Sequence, residues 1–253
     1  MLAITLKTKI VDIINEDYTV LSILLRLNIL PGYGEKTVTQ VANENGLDPE
    51  FFMNILAAYT DPEYSNYEEL INADVRLITG FLKKSHDFYK DEKIPELKKM
   101  FSQIIEQAIV KNNIKIIEHY FNNYLEEFSI HMEYEEKQVF PYAEELDTVL
   151  RTGKASQSFL EGFKKFSIKE YVLQHEDSTQ EKLEDLKNIL MKYIPELKTY
   201  KTYYQVISKL YRLGKDLDNH MNLENKVLVP RLTLMADKIE KLLNEDKIEI
   251  VQP

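Results

Sequence analysis

From about residue 66 onward, apolar positions return every three or four residues. Ile114, Ile117, Tyr120, Phe121, Tyr124, Phe128 and His131 form one such stripe, and its spacing predicts a helix over 113–146 with one face turned inward. The same pattern predicts a helix from near Tyr67 through His86 to about Val110, one over 157–192 carrying His175, and one over 198–242 carrying His220. Pro95 removes a backbone donor, so the first of these should kink or break near Lys93–Pro95. Arg151–Ser156 reads as a loop and residues 243–253 as a loosely ordered tail.

Residues 1–62 have a different rhythm, of short stripes and frequent stops. A helix over Thr19–Leu27 runs into the turn Leu30-Pro31-Gly32-Tyr33-Gly34. Thr37 is placed to cap a short helix that stops at Gly46, and Asp48 to cap another with Pro49 in its first turn. Phe51, Phe52, Ile55 and Leu56 give that last helix its apolar face, and Asp61-Pro62 ends it. Three short helices can also make a DNA reader, but the would-be recognition helix opens Asp48-Pro49-Glu50 and carries no Lys or Arg. Packing or docking is the better expectation. The predicted fold is all-α: a four-helix up-down bundle over 66–242, preceded by a small helical domain over 1–62 and followed by a tail over 243–253.

Composition agrees with long helices. Gly and Pro number only 7 and 8 in 253 residues, which argues against an all-β chain. A formal charge of −10 disfavours nucleic acid, whose phosphates require a basic surface. The chain has no cysteine, so disulfides, thiolate metal sites and cysteine nucleophiles are excluded. Lys7, Lys9 and Asp12 interrupt the amino terminus, and no uncharged apolar run reaches membrane-spanning length. No membrane association is expected, and a cytoplasmic location is.

The chemistry lies in a repeated string. His131-Met132-Glu133-Tyr134-Glu135-Glu136-Lys137-Gln138-Val139-Phe140-Pro141 is echoed by His220-Met221-Asn222-Leu223-Glu224-Asn225-Lys226-Val227-Leu228-Val229-Pro230. A helix turns about 100° per residue, so residues four apart lie one turn and only about 40° from each other. Each copy can therefore aim an imidazole and a carboxylate into one space, with a proline ending or kinking the helix just beyond. His86 and His175 fall on the other two long helices, so each of the four supplies one histidine. His119, twelve residues before His131, lies about 120° round the same helix and should face elsewhere. Four imidazoles and two bridging carboxylates, with an oxo or hydroxo bridge, leave roughly one open position on each of two six-coordinate metals. Nitrogen and oxygen donors without thiolate suit iron or manganese, and zinc would also bind. The blander reading is a metal-free helical adaptor whose histidines merely pack. Tyr120, Tyr124 and Tyr171 read as packing residues.

At these residues the chain resembles the hemerythrin-like di-iron proteins, and within them the Repair of Iron Centers type. The similar segments are Ser85-His86-Asp87-Phe88 with Ile94-Pro95-Glu96-Leu97, Glu126 through Pro141, Gln174-His175-Glu176-Asp177, and His220 through Arg231. The resemblance implies non-heme iron ions as cofactor, His86 and His131 on one, His175 and His220 on the other, with Glu135 and Glu224 bridging. It places Glu127 near the route to the metals. Oxygen carriers of this group have a further His four residues after the third-helix ligand, where this chain has Thr179. That favours the repair type. The repair type's small leading domain bears a cysteine pair in its first loop, which here is the cysteine-free Leu30–Gly34. Any role of those thiols cannot operate in this chain. The implied function is a part in the nitric oxide and oxidative stress response. It would restore damaged iron–sulfur clusters by donating iron, by handling nitric oxide, or both. Iron–sulfur proteins would be its clients, and nitric oxide, oxygen or peroxide its small-molecule partners. A hemerythrin-like module that binds or senses oxygen or nitric oxide is the alternative, and a homodimer is left open.

Overall fold

The computed structural model describes residues 2–61, 63–175 and 179–251, with the side chains of 111–113 and 174–175 outside the described set. The leading helices are α1 (Ile10–Glu16), α2 (Val20–Arg26), α3 (Val38–Glu44), α4 (Pro49–Thr60) and α5 (Tyr67–Asn72). Thr37 opens α3 with a reciprocal capping box to Gln40, and Asp48 accepts from the Phe51 amide to open α4. Gly46 closes α3 at φ +66°, a conformation open to glycine at little cost. The first helix is a finding of the structure, since two buried residues, Ile10 and Ile13, are too few to show a period.

Three long rods follow, each built from two helices joined without a break. They are α6 (Val75–Phe88) with α7 (Ile94–Gln107), α8 (Lys111–Tyr134) with α9 (Phe140–Thr152), and α13 (Lys201–Leu223) with α14 (Val229–Asn244). The joints are five-residue π-turns at Tyr89–Lys93, Glu135–Val139 and Glu224–Leu228. A proline stands just inside each following helix, at Pro95, Pro141 and Pro230. The residue before it donates five positions back: Ile94 to the Tyr89 carbonyl, Phe140 to Glu135 and Val229 to Glu224. Proline has no N–H, and its ring crowds the carbonyl four residues behind. A widened turn removes that clash while the helix continues. The expected interruptions at Pro95, Pro141 and Pro230 are therefore π-turns within continuing rods.

The rod expected over 157–192 is instead divided after α10 (Gln157–Lys165); beyond the division lie α11 (Ile168–His175) and α12 (Thr179–Tyr193), on either side of residues outside the described set. Ser167 accepts a hydrogen bond from the Glu170 amide at 3.2 Å, which starts α11 afresh after Phe166. The expected loop and tail also meet. Strand β1 (Lys154–Ser156) pairs in parallel with β2 (Glu249–Val251), with Ala155 and Ile248 buried there. Among the described residues no helix is long and apolar enough to cross a membrane.

The apolar interior forms two clusters. One joins the leading helices to the first turns of α6, to α9 and α14, and to Tyr171 of α11; the other joins α7, α8, α12 and α13. Each rod passes from one cluster to the other over a few residues: between Leu82 and Phe88, between Met132 and Val139, and between Leu217 and Leu223. The buried polar residues His86, Glu135 and His220 fall at these crossings, and Glu224 comes immediately after the third.

Candidate metal centre

In the layer between the two apolar clusters, His86 comes from the end of α6 and His220 from the end of α13, while Glu135 and Glu224 are the first residues of their π-turns. One ligand atom from each of the four lies within 4.8 Å of all the others. His220 Nε2 stands 2.9 Å from Glu224 Oε1, one helical turn away, and His86 Nε2 stands 3.3 Å from Glu135 Oε2 across the bundle. The two imidazoles face each other with Nε2 atoms 3.2 Å apart. Their side chains are 0% (His86), 0% (Glu135), 5% (His220) and 0% (Glu224) exposed.

Two carboxylates held between apolar layers carry a large desolvation cost unless positive charge lies among them. Two imidazole nitrogens at 3.2 Å cannot both turn bare lone pairs on each other, so at least one of them must carry a proton or bind a cation. Burial by itself pulls the His86 imidazole down. The hydrogen bond and charge of Glu135, with Glu224 and Glu136 beyond, outweigh burial and raise its pKa. A metal cation satisfies both demands at once. The donor set of imidazole nitrogen and carboxylate oxygen, without sulfur, fits iron, manganese or zinc.

The Hemerythrin HHE cation binding domain matches residues 92–232, more than half of the chain. The protein belongs to this family. No curated protein matches the chain. The matched stretch takes in Glu135, His220 and Glu224, while His86 lies just before it and is joined to those three by the geometry.

Around the four residues lies a supporting shell. Glu136 Oε1 is 3.1 Å from His86 Nδ1 and accepts from Lys90 Nζ at 2.7 Å. This carboxylate favours the proton on Nδ1 and leaves Nε2 facing the centre, the arrangement typical of a ligating histidine. Tyr171, buried on α11, donates its hydroxyl to Glu135 Oε1 at 2.8 Å. Burial and the negative charge of Glu135 push that phenol's pKa well up, so it remains a donor. Phe140 stacks on His86 at 5.4 Å and Tyr89 meets His220 edge-on at 5.6 Å, fixing both rings. Buried His220 Nδ1 has no hydrogen-bond partner among the described residues.

The structure thus brings together His86, Glu135, His220 and Glu224. His131 stands beside them but outside the group of four: it is 22% exposed, with Nε2 3.5 Å from Glu135 Oε1. His175 is the last residue of α11, and its side chain lies outside the described residues. Glu127 is an exposed residue paired with Lys182, and His119 an exposed one bonded to Asn123. Tyr124 packs on Phe128, as expected of a core tyrosine. Tyr171 does not merely pack: its hydroxyl joins the centre. Glu136 and Lys90 were also missed by sequence reasoning. The one available signal was that Glu136 neighbours Glu135 in the repeated string.

Proposed function

We propose that this protein holds two iron ions, bridged by Glu135 and Glu224, with His86 and His131 serving one ion and His175 and His220 the other. The observation that carries the reading is the pair of fully buried glutamates sharing one small space with two facing imidazoles. Bound there, iron would supply one-electron redox chemistry and open positions for a small molecule. The chain's own residues prepare the place. Glu136 and Lys90 orient His86. Tyr171 restrains Glu135. The apolar clusters on either side exclude water, which strengthens every charge interaction in the layer. His131, at 22% exposure, sits where the layer meets solvent and is the place for a small molecule to enter or an ion to leave.

We assign this centre to the cytoplasmic response to nitric oxide and oxidants, in the repair of damaged iron–sulfur clusters by iron donation or nitric oxide handling. The four-histidine, two-glutamate set supports repair over oxygen carriage, since Thr179 stands where a carrier has a further histidine. The test is metal analysis and visible and Mössbauer spectra of purified protein, followed by anaerobic incubation with a cluster-free ferredoxin or with nitric oxide. Iron transfer to the ferredoxin, or loss of nitric oxide under reductant, is expected. A reversible oxygen adduct without transfer or turnover would favour a binding or sensing protein. A metal-free product from iron-replete cells would overturn the proposal.

A further inference from the structure

Arg26 has its side chain 0% exposed, although it belongs to α2 in the leading helices. Its partners belong largely to the bundle. Nη2 donates to both Asp216 oxygens, at 2.7 and 2.6 Å, and Nη1 donates to Ser85 Oγ at 3.0 Å. Nη1 also lies 3.4 Å from the Tyr59 hydroxyl, and Nε 3.3 Å from the Ser22 carbonyl. The rings of Phe88, Tyr59, Tyr89 and Phe81 stand 5.0, 5.6, 5.7 and 5.8 Å from the guanidinium carbon and box it in.

The two polar anchors are neighbours of the facing imidazoles. Ser85 immediately precedes His86, and its own hydroxyl donates to the Phe81 carbonyl of α6. Asp216 lies one turn before His220 on α13. Tyr89, one wall of the box, is the ring that meets His220. One guanidinium therefore grips α6 and α13 within a turn of the point where their imidazoles stand 3.2 Å apart. Stability alone is a weak account of such a pair, because an apolar pair of similar volume often stabilises a fold as well or better. A planar fork with several donors is suited to holding two groups at a fixed separation, which a lysine cannot do.

We infer that Arg26 is a positioning residue for the metal centre, setting the spacing of His86 and His220 from the leading helical unit. The inference rests on the metal-centre reading above. It makes metal retention depend on a residue outside the matched cation-binding domain.

The test uses the full chain, stripped of metal and titrated with cobalt(II), whose visible spectrum reports ligand geometry. The Arg26→Met/Asp216→Leu double variant should unfold near the parent temperature when metal-free. It should release cobalt to a chelator about tenfold faster, as supporting-residue changes commonly do, with an altered cobalt spectrum. Arg26→Lys, which keeps charge opposite Asp216 but not the two-helix fork, should fall between. If the double variant does not fold, Ser85→Ala decides, with faster release expected. Parent-like cobalt spectra and release rates in the folded variants would overturn the inference and leave the metal centre standing. A parent chain that takes up no cobalt would overturn both.

Discussion

The two copies of the repeated string fold alike and end in different surroundings. In each, a histidine faces a glutamate one turn on, and the glutamate opens a π-turn that closes before a proline. The copy on α13 is closed: His220 is 5% exposed, 2.9 Å from Glu224, and pressed by His86 and Tyr89. The copy on α8 is open: His131 is 22% exposed and 3.5 Å from Glu135, which is also engaged by His86 and Tyr171. Spacing fixes what a helix can offer, whereas burial depends on what packs opposite. His220 faces the Arg26 side of the bundle and is enclosed there, while His131 lies towards the rim.

Removing the shared acids should break the comparison most completely. Glu135→Ala or Glu224→Ala should abolish stable loading of both ions, read by metal analysis, because each takes away a group used by the whole centre. Next in size, the two histidines should prove unequal. His220→Ala should weaken cobalt or iron binding at least about tenfold more than His131→Ala in a chelator competition, since a buried ligand leaves a larger unsatisfied site. Equal losses would show that the open copy closes when metal enters.

Changes in the supporting shell should follow. Glu136→Gln and Tyr171→Phe should each lower affinity by about 10- to 100-fold, the range for residues that orient a ligand. Tyr171→Phe acts through Glu135 and should therefore change the environments of both ions, visible in the Mössbauer spectrum. A smaller effect concerns acidity. The raised pKa of His86 means its charged form stabilises the metal-free fold below about pH 6.5, and this contribution fades as pH rises through the folded-state value. The thermal-midpoint advantage of the metal-free parent over His86→Gln should therefore shrink as pH rises above about 6.5. A pH-independent difference would contradict the assignment. Least of all, His119→Ala should leave metal content unchanged, because that side chain is exposed and bonded to Asn123.

Much of this was legible in the residues. The caps at Thr37 and Asp48, most of the three long rods and the inward turn of His86, Glu135, His220 and Glu224 follow from spacing and residue type. The first rod, however, begins at Val75 rather than near Tyr67, because Ala73 is extended and Asp74 caps a new helix. The π-turns were not legible, because a helical period read over a dozen positions absorbs one extra residue without visible disturbance. Glu136 was hidden for a related reason. Glu135 and Glu136 are consecutive, yet both serve the His86 ring, one at Nε2 and the other at Nδ1. The division of the rod over 157–192 after α10 turned on a single serine, and the pairing of β1 with β2 on strands of three residues, too short for any alternation to show. Arg26 and Asp216 are 190 positions apart, and nothing in either neighbourhood announces the other.

The joints in the three rods have a consequence for how the molecule tolerates change. An ideal helix locks the rotation of its far end to that of its near end, so a rod running through two cores would force both to share one angular setting. Each added residue at Tyr89–Lys93, Glu135–Val139 and Glu224–Leu228 resets that angle at the boundary. The upper and lower halves can therefore accept different side-chain volumes without one twisting the other. Losing a single residue from any joint would leave one half, or the ring of acids and imidazoles between them, facing the wrong way.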